Sequence, residues 1–227
     1  MIDLYTWTTP NGRKVSILLE ELGVPYTAHP IDITKDDQFA PDFLKISPNN
    51  KIPAIKDHDN GLCLMESGAI MWYLADKYGK FLPSDAIGRA KVHEWLMWQM
   101  GGVGPMAGQA HHFLHYAPEL DPPQVLPYAQ DRYRAEVGRL YGVLDRQLAD
   151  NEFVAGDDYS IADMAIFPWC RLYKRQEQNI DDFPNVKRWF ALIAQRPAVK
   201  RDMGKLEDIV EGFDPESWDN AFGDTQY

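Results

Sequence analysis

The chain is poor in cysteine: Cys63 and Cys170 are the only two among its 227 residues. Both have apolar neighbours, which is typical of buried, reduced thiols. The sequence contains no C-x-x-C pair, so it has neither a zinc ribbon nor a dithiol redox site of its own. Any thiol–disulfide chemistry would need sulfur atoms that the chain itself does not supply.

Long hydrophobic runs and an excess of positive charge are also missing. No stretch approaches the ~20 apolar residues of a membrane span, and the first residues do not have the pattern of a secretory signal. Lys plus Arg total 23 against 34 for Asp plus Glu, which gives a net charge of −11. Because an acidic surface repels phosphate backbones, we expect no nucleic-acid partner. We likewise expect no membrane partner and a cytoplasmic location.

Apolar residues are abundant enough for a sizeable core, at 45% hydrophobic and 12% aromatic. The first part of the chain switches repeatedly between strand and helix periods. The pattern predicts strands at 2–7, 26–32, 52–56 and 62–65, with helices at 10–22, within 35–46 and at 66–74. This βαβαββα order predicts an α/β domain with a four-stranded mixed sheet.

The remainder of the chain is predicted to be helical. Helices are expected at 87–115 with a glycine-rich interruption at 101–105, then at 128–148, 161–176, 184–195 and 197–206, with a proline-rich loop at 116–127. Ser160 and Asp163 have the spacing of a capping box, so we interpret them as structural. We therefore divide the chain into an α/β domain at 1–79, a linker at 80–86, an all-helical domain at 87–206 and an acidic tail at 207–227.

Three stretches carry a family resemblance: residues 47–55 (SPNNKIPAI), 66–70 (ESGAI) and 159–163 (YSIAD). In this order and spacing they resemble the cytosolic glutathione transferase family. Residues 8–12 (TTPNG) and 98–113 (WQMGGVGPMAGQAHHF) are similar to its bacterial nu class, which is related to the folded domain of a yeast nitrogen-regulatory prion protein. The resemblance implies a thioredoxin-like N-terminal domain, an all-α C-terminal domain, glutathione as cosubstrate, no metal, and a homodimer.

The resemblance also implies which residues bind glutathione. The Ser67 hydroxyl, at the positive end of a helix, would hold the γ-glutamyl carboxylate, and Glu66 would pair with the ammonium group. The bond between Ile52 and Pro53 is expected to be cis, so that the Ile52 backbone can pair with the cysteinyl part of the ligand.

Three further polar residues are assigned to the ligand by the same resemblance. Lys51 would meet the glycyl carboxylate; the alternative is that it is a solvated surface lysine. Gln38 matches a nu-class position that reaches the ligand. Arg132 would hold a second glutathione, or else pair on the helix surface with Asp131 or Glu136.

Catalysis is assigned to the turn that follows the first strand. A free thiol has a pKa of ~8.5, so a reactive glutathione thiolate needs hydrogen-bond donors and a positive field. Thr9 and Asn11 would supply both at the start of the first helix, where Thr9 also acts as the cap and Pro10 occupies the first position. Neither residue can act as a general base, so the turn stabilises a nucleophile that arrives with the ligand.

Three histidines near the end of the long helix allow two interpretations. His111 and His115 are one helical turn apart, as in some zinc sites, but a suitable third ligand is not evident. We interpret His111, His112 and His115 as lining the substrate cleft or closing the helix.

The chain is expected to be a glutathione-dependent thiol–disulfide oxidoreductase, a glutathione transferase that conjugates electrophiles or cleaves ethers, or a non-enzymatic interaction module.

Overall fold

The computed structural model describes residues 1–201, which form two compact units. The first unit comprises Met1–Lys80 and residues 196–201, and the second comprises Phe81–Gln195. The first unit contains β1 (Ile2–Thr6), α1 (Pro10–Leu22), β2 (Tyr26–Pro30), a 3₁₀ turn (Asp37–Phe39), α2 (Pro41–Leu44), β3 (Ala54–Asp57), β4 (Leu62–Met65), α3 (Ser67–Tyr78) and α10 (Pro197–Arg201). The predicted acidic tail at 207–227 lies outside the described residues.

The sheet of the first unit has four strands in the order β2-β1-β3-β4. β1 is parallel to β2 and antiparallel to β3, and β4 is antiparallel to β3. This confirms the predicted mixed sheet. The registers pair Tyr5 with Ala54 and Ala54 with Met65. The end of β1, the start of β3 and the end of β4 therefore lie in one row, at the same end of the sheet.

α1 has well-defined ends and an apolar stripe, and the stripe packs it into the core of this unit. Thr9 caps it by accepting a hydrogen bond from the Gly12 amide at 3.2 Å, and Gly23 ends it in the left-handed conformation at φ 68°. Its buried face packs against α3 and joins Ile2 and Leu4 of β1 in the core. Both predicted helix ends are confirmed.

The second unit is helical, as predicted. It contains α4 (Ala86–Trp98), α5 (Gly104–His111), α6 (Ala117–Glu119), α7 (Pro127–Ala149), α8 (Ile161–Cys170) and α9 (Pro184–Ala194). Every residue of α8 is buried. The predicted capping box at its start is confirmed, and the Asp163 carboxylate also accepts the indole N–H of Trp189 at 2.9 Å. α8 is therefore the central helix of this unit.

The expected interruption at 101–105 is not a break. The chain continues as a π-helical turn at Gln99–Val103, and a second π-helical turn at His112–Tyr116 follows α5. A Cβ at Gly104 would lie 2.8 Å from Gln99 Nε2, so the Gln99 side chain would have to shift to make room for it. The predicted loop at 116–127 is also shorter than expected, because Pro118 lies in the first turn of α6, where a helix tolerates proline.

Several predicted strand and helix ends were wrong by a few residues. β3 begins at Ala54 rather than residue 52, because proline has no N–H for the ladder. α3 continues to Tyr78, whereas α8 ends at Cys170. Cys63 is exposed rather than buried, since it lies on the edge strand β4 and its apolar neighbours point to the other face.

Residues 196–201, which the sequence assigned to the helical domain, group with the first unit. α10 packs on α1, and Arg196 Nε lies 2.5 Å from the carboxylate of Glu21. Arg201 Nε lies 3.2 Å from Glu20 in the same way. The boundaries at 79/80 and 86/87 stay predictions.

No helix among residues 1–201 is long and apolar enough to cross a bilayer.

Candidate functional site

The sheet registers bring three sequence motifs of the first unit together. The turn with Thr9 and Asn11 follows β1, Ile52 and Pro53 precede β3, and Ser67 begins α3 directly after β4. Because these strand ends lie in one row, the Thr9 turn meets, at one end of the sheet, two motifs that follow it by more than 40 positions along the chain. This end of the sheet is the candidate site.

The turn after β1 is held by its own backbone. The Thr9 amide donates to the Trp7 carbonyl oxygen at 2.8 Å, and the Thr9 hydroxyl oxygen accepts from the Gly12 amide. Asn11 lies in the first turn of α1, half-buried, where helix N–H groups and the helix dipole favour an anion. The turn can therefore present a hydroxyl, an amide and a positive helix end to a bound anion.

The start of α3 has an unusual backbone. Glu66 has φ 70° and ψ 111°, a conformation that residues with a Cβ rarely adopt. Such strained residues cluster at binding sites, where surrounding structure maintains them. Glu66 is exposed, whereas Ser67, the first residue of α3, is only 4% exposed. The Ile52–Pro53 peptide bond is cis, as the resemblance implied.

Beneath Ser67 lies a residue that the sequence did not single out. Lys14 of α1 is 1% exposed, and its ammonium donates a hydrogen bond to Ser67 Oγ at 3.2 Å. Burial lowers the Lys14 pKa to about 7, although the negative charge of Glu66 opposes that shift. The available signal was its position four residues before Leu18, on the apolar stripe of α1, where a lysine is unexpected.

Gln38 and Lys51 are very different in exposure. Gln38, in the 3₁₀ turn, is 2% exposed, and its amide nitrogen lies 3.5 Å from an oxygen of Asp36. Its amide oxygen has no hydrogen-bond partner within residues 1–201. A buried acceptor without a donor is costly, so this oxygen is suited to a ligand N–H. Lys51 is exposed, and its carbonyl oxygen accepts a hydrogen bond from the Ser47 hydroxyl at 2.8 Å.

Arg132 belongs to the second unit. It lies exposed on α7, in a shallow surface cavity that Tyr128 also lines. Its two candidate surface partners are held by other arginines: Arg134 Nη1 lies 2.6 Å from Asp131, and Arg139 Nη2 lies 2.7 Å from Glu136. The Arg132 charge still acts on the Glu136 carboxyl. The expected surface pairing of Arg132 is therefore weak, which leaves its charge accessible to an anion.

The three histidines that the sequence singled out differ in burial: His111 is buried, whereas His112 and His115 are half-buried. The His111 ring lies 5.8 Å from Trp169 between ring centres, and burial lowers the His111 pKa to about 3. His115 Nε2 lies 2.5 Å from the carbonyl oxygen of Arg175. Among residues 1–201, no three His, Cys, Asp or Glu side chains form a group that could hold a metal ion.

Both halves of the chain match glutathione transferase families. The profile of the family "Glutathione S-transferase, N-terminal domain" matches residues 8–77, and that of "Glutathione S-transferase, C-terminal domain" matches residues 105–197. The disulfide-bond oxidoreductase YfcG of Escherichia coli is 48% identical over 212 residues, covering 91% of this chain and 96% of YfcG.

Two solved structures are similar throughout. A glutathione transferase from Burkholderia graminis, with two glutathione molecules bound per subunit, has a TM-score of 0.84 and 46% identity, covering 91% of this chain and 88% of its own. A glutathione transferase from Pseudomonas putida, with one glutathione disulfide bound per subunit, has a TM-score of 0.83 and 44% identity, covering 89% and 90%. The resemblance found in the sequence is confirmed: the chain belongs to the glutathione S-transferase family.

Proposed function

We propose that this protein is a glutathione-dependent thiol–disulfide oxidoreductase that uses bound glutathione as its reactive thiol. The observation that carries the proposal is the meeting of the Thr9 turn, the Ile52–Pro53 bond and Ser67 at one end of the sheet. These motifs contain anion-binding groups but no cysteine. Similarity to a relative named as a disulfide-bond oxidoreductase supports the same reaction.

Each part of glutathione has a proposed partner in the first unit. Ser67 and the positive end of α3 hold the γ-glutamyl carboxylate, and Glu66 pairs with the ammonium. The backbone of Ile52, next to Pro53, pairs with the cysteinyl residue, and Lys51 meets the glycyl carboxylate. This places the ligand thiol at the turn that precedes α1.

Three more residues complete the first binding site. Thr9 and Asn11 donate hydrogen bonds to the thiol sulfur, and the α1 dipole lowers its pKa. Neither group accepts the thiol proton, which passes to water. The buried oxygen of Gln38 accepts a ligand N–H, which would satisfy an acceptor that has no partner within residues 1–201.

The proposed reaction uses two glutathione molecules. The first thiolate attacks one sulfur of the disulfide substrate, the substrate S–S bond breaks, and the departing thiolate takes a proton. The second glutathione, as its thiolate, then attacks the glutathione sulfur of the mixed disulfide. Glutathione disulfide forms, and the second half of the substrate leaves as a thiol. The substrate is reduced by two electrons, and two glutathiones are oxidised.

Arg132 is the proposed partner of the second glutathione. Its guanidinium is exposed, and the neighbouring carboxylates of Asp131 and Glu136 are paired with other arginines. A guanidinium binds carboxylates with two parallel hydrogen bonds, and glutathione has two carboxylates. The Burkholderia graminis relative, with two glutathiones per subunit, supports this stoichiometry.

We further propose that the protein is a homodimer of the nu class that acts in the cytoplasm. The proposed reaction consumes reduced glutathione, which is abundant in a reducing compartment. Light scattering of the purified protein tests the dimer: a mass near 52 kDa supports it, since the chain is 26.0 kDa, and a mass near 26 kDa contradicts it.

Steady-state assays test the reaction. The purified protein is given glutathione with 2-hydroxyethyl disulfide, and separately with 1-chloro-2,4-dinitrobenzene. Turnover of the disulfide with feeble conjugation supports the proposal. The reverse result would make the protein a conjugating transferase, and no turnover with no calorimetric binding of glutathione would make it a non-enzymatic module.

A further inference from the structure

The side chain of Lys14 occupies a position that lysine rarely takes. It is 1% exposed and lies one helical turn before the buried Ile17 and Leu18 of α1, the helix that begins at the Thr9 turn. Lysine is almost never buried to this extent unless its charge has a partner or a use. A methionine of similar length would fill the same space without the cost of desolvating an ammonium. Packing alone therefore does not explain the ammonium at this position.

The ammonium of Lys14 donates a hydrogen bond to the side chain of Ser67. Lys14 Nζ lies 3.2 Å from Ser67 Oγ, and Ser67 is itself buried, with 4% of its surface exposed. An ammonium only donates hydrogen bonds, so Ser67 Oγ is the acceptor in this contact. A hydroxyl that accepts from an ammonium can also donate its own hydrogen, as binding of an anion at the start of α3 would require.

The charge of Lys14 responds to its surroundings. α1 packs against α3 and α10. From α3, Ser67 contacts the ammonium, and Glu66 acts on it through its negative charge. From α10, the charged groups are Lys200 and Arg201, and Arg201 is bound to Glu20. Burial sets the Lys14 pKa at about 7, so near neutral pH a small change in the nearby charge shifts its protonation.

We propose that Lys14 is a positioning residue for glutathione: through Ser67, its buried ammonium orients the hydroxyl and supplies the positive charge that holds the γ-glutamyl carboxylate. This inference rests on the proposed function, because it needs glutathione to bind at Ser67. Lys14 is too deeply buried to touch the ligand, so it acts through the serine. Binding of the carboxylate favours the charged form of Lys14, and therefore couples ligand binding to proton uptake.

A double-mutant cycle tests the path through Ser67. Calorimetry of glutathione binding is carried out on the full-length wild type, Lys14→Met, Ser67→Ala and the double variant. Loss of a charged hydrogen-bond partner is expected to weaken binding by about 10-fold in Lys14→Met. The double variant should lose less affinity than the two single losses combined, since part of the effect of the lysine passes through the serine. Lys45→Met, which removes an exposed lysine of the same unit, is the matched control.

Proton uptake by the wild type provides a second readout that does not require any variant to fold. The ligand is S-methylglutathione, which has no thiol to ionise, and binding heats are compared in two buffers with different ionisation enthalpies. At a pH just above 7, the wild type is expected to take up a fraction of a proton on binding. In Lys14→Met the buffer dependence should vanish.

The outcomes separate the two proposals. A wild type that does not bind glutathione overturns the proposed function and this inference with it. A wild type that binds glutathione, with equal affinity in Lys14→Met or with equal binding heats in the two buffers, overturns the role of Lys14 alone. Strictly additive losses in the double variant would also overturn the inference, because Lys14 would then act independently of Ser67.

Discussion

A side chain on Gly12 would collide with Trp7: a Cβ added to Gly12 would lie 2.2 Å from the Trp7 carbonyl oxygen and 2.4 Å from Thr6 Oγ1. The Trp7 oxygen is the acceptor that closes the Thr9 turn. Because the nearest atom belongs to the backbone, it cannot move aside without moving the turn. The close approach of these two residues therefore determines where Thr9 and Asn11 lie.

Gly12→Ala is expected to disturb this turn. Overpacking should lower the free energy of unfolding by about 1–3 kcal/mol, and displacement of Thr9 and Asn11 should raise the KM for glutathione. Urea denaturation and steady-state kinetics measure both. Gly142→Ala is the control, since a Cβ in the middle of α7 would meet only the end of Arg146 at 3.5 Å, and helix propensity favours alanine. Equal behaviour of the two variants would contradict the steric account.

Substitutions of Thr9 can separate capping from thiolate stabilisation. Thr9→Ala should cost ~0.5–2 kcal/mol of stability through loss of the cap, and should raise the pKa of the bound glutathione thiol. Thr9→Asp keeps a capping oxygen but puts a negative charge near the sulfur, so stability is retained while the thiol pKa rises. Thr9→Ser should keep both properties. Thermal unfolding and thiolate absorbance against pH are the measurements.

Asn11→Ala should raise the thiol pKa and lower turnover with little change in stability, because Asn11 is not the cap of α1. The same absorbance titration measures the pKa. If Thr9→Ala and Asn11→Ala both turned over at the wild-type rate, the turn would have no catalytic role.

Arg132→Ala is expected to reduce glutathione binding from two molecules per subunit to one. It should slow disulfide reduction more than it raises the KM for the first glutathione, because resolution of the mixed disulfide needs the second molecule. Native mass spectrometry and calorimetry count the bound ligands. Arg139→Ala, on the same helix but ion-paired with Glu136, is the control that should keep wild-type stoichiometry. Two ligands bound to Arg132→Ala would exclude the assigned role.

The Asp57 carboxylate predicts how stability depends on pH. It is fully buried and lies 2.5 Å from both Lys77 Nζ and the Tyr73 hydroxyl. Burial alone would raise the Asp57 pKa, but these donors outweigh it and hold the pKa below its usual value. A depressed folded-state pKa adds stability above the unfolded-state pKa of about 4, and this stability is lost as the pH falls through the folded-state value.

Asp57→Asn should therefore lower the free energy of unfolding at neutral pH and flatten its acid dependence. We expect a loss of about 3 kcal/mol, at the low end for a broken buried pair, since Lys77 is 21% exposed. Urea denaturation from neutral to acidic pH measures it. Asp42→Asn removes an exposed, solvent-screened partner of Lys45 and should leave both the stability and its acid dependence nearly unchanged. An unchanged acid slope in Asp57→Asn would contradict the assignment.

Local features of the sequence predicted the fold well. Thr9 and Pro10 marked the start of α1, Gly23 its end, and Ser160 with Asp163 the start of α8. Caps and turns depend on residues within a few positions of one another, so their chemistry can be read directly. Errors occurred where distant contacts or helix packing override local preference, as in the π-helical turns that replaced the expected break at 101–105.

The residues of the candidate site also divide into those that local motifs revealed and one that depends on a distant contact. Ser67, Ile52 and Pro53 could be found because they lie in recognisable motifs. Lys14 could not, because its role depends on a contact with a residue 53 positions away. A lysine on an apolar stripe was the only local signal, and it did not identify the partner.

The sequence by itself determined the order of strands and helices, the ends of α1 and the family, since all three are encoded in short-range patterns. Only the tertiary structure decided that the end of β1, the start of β3 and the start of α3 share one end of the sheet, with the Lys14 ammonium beneath Ser67. Strand register and the packing of α1 against α3 set those contacts, and both arise from burial of the whole core rather than from any one segment.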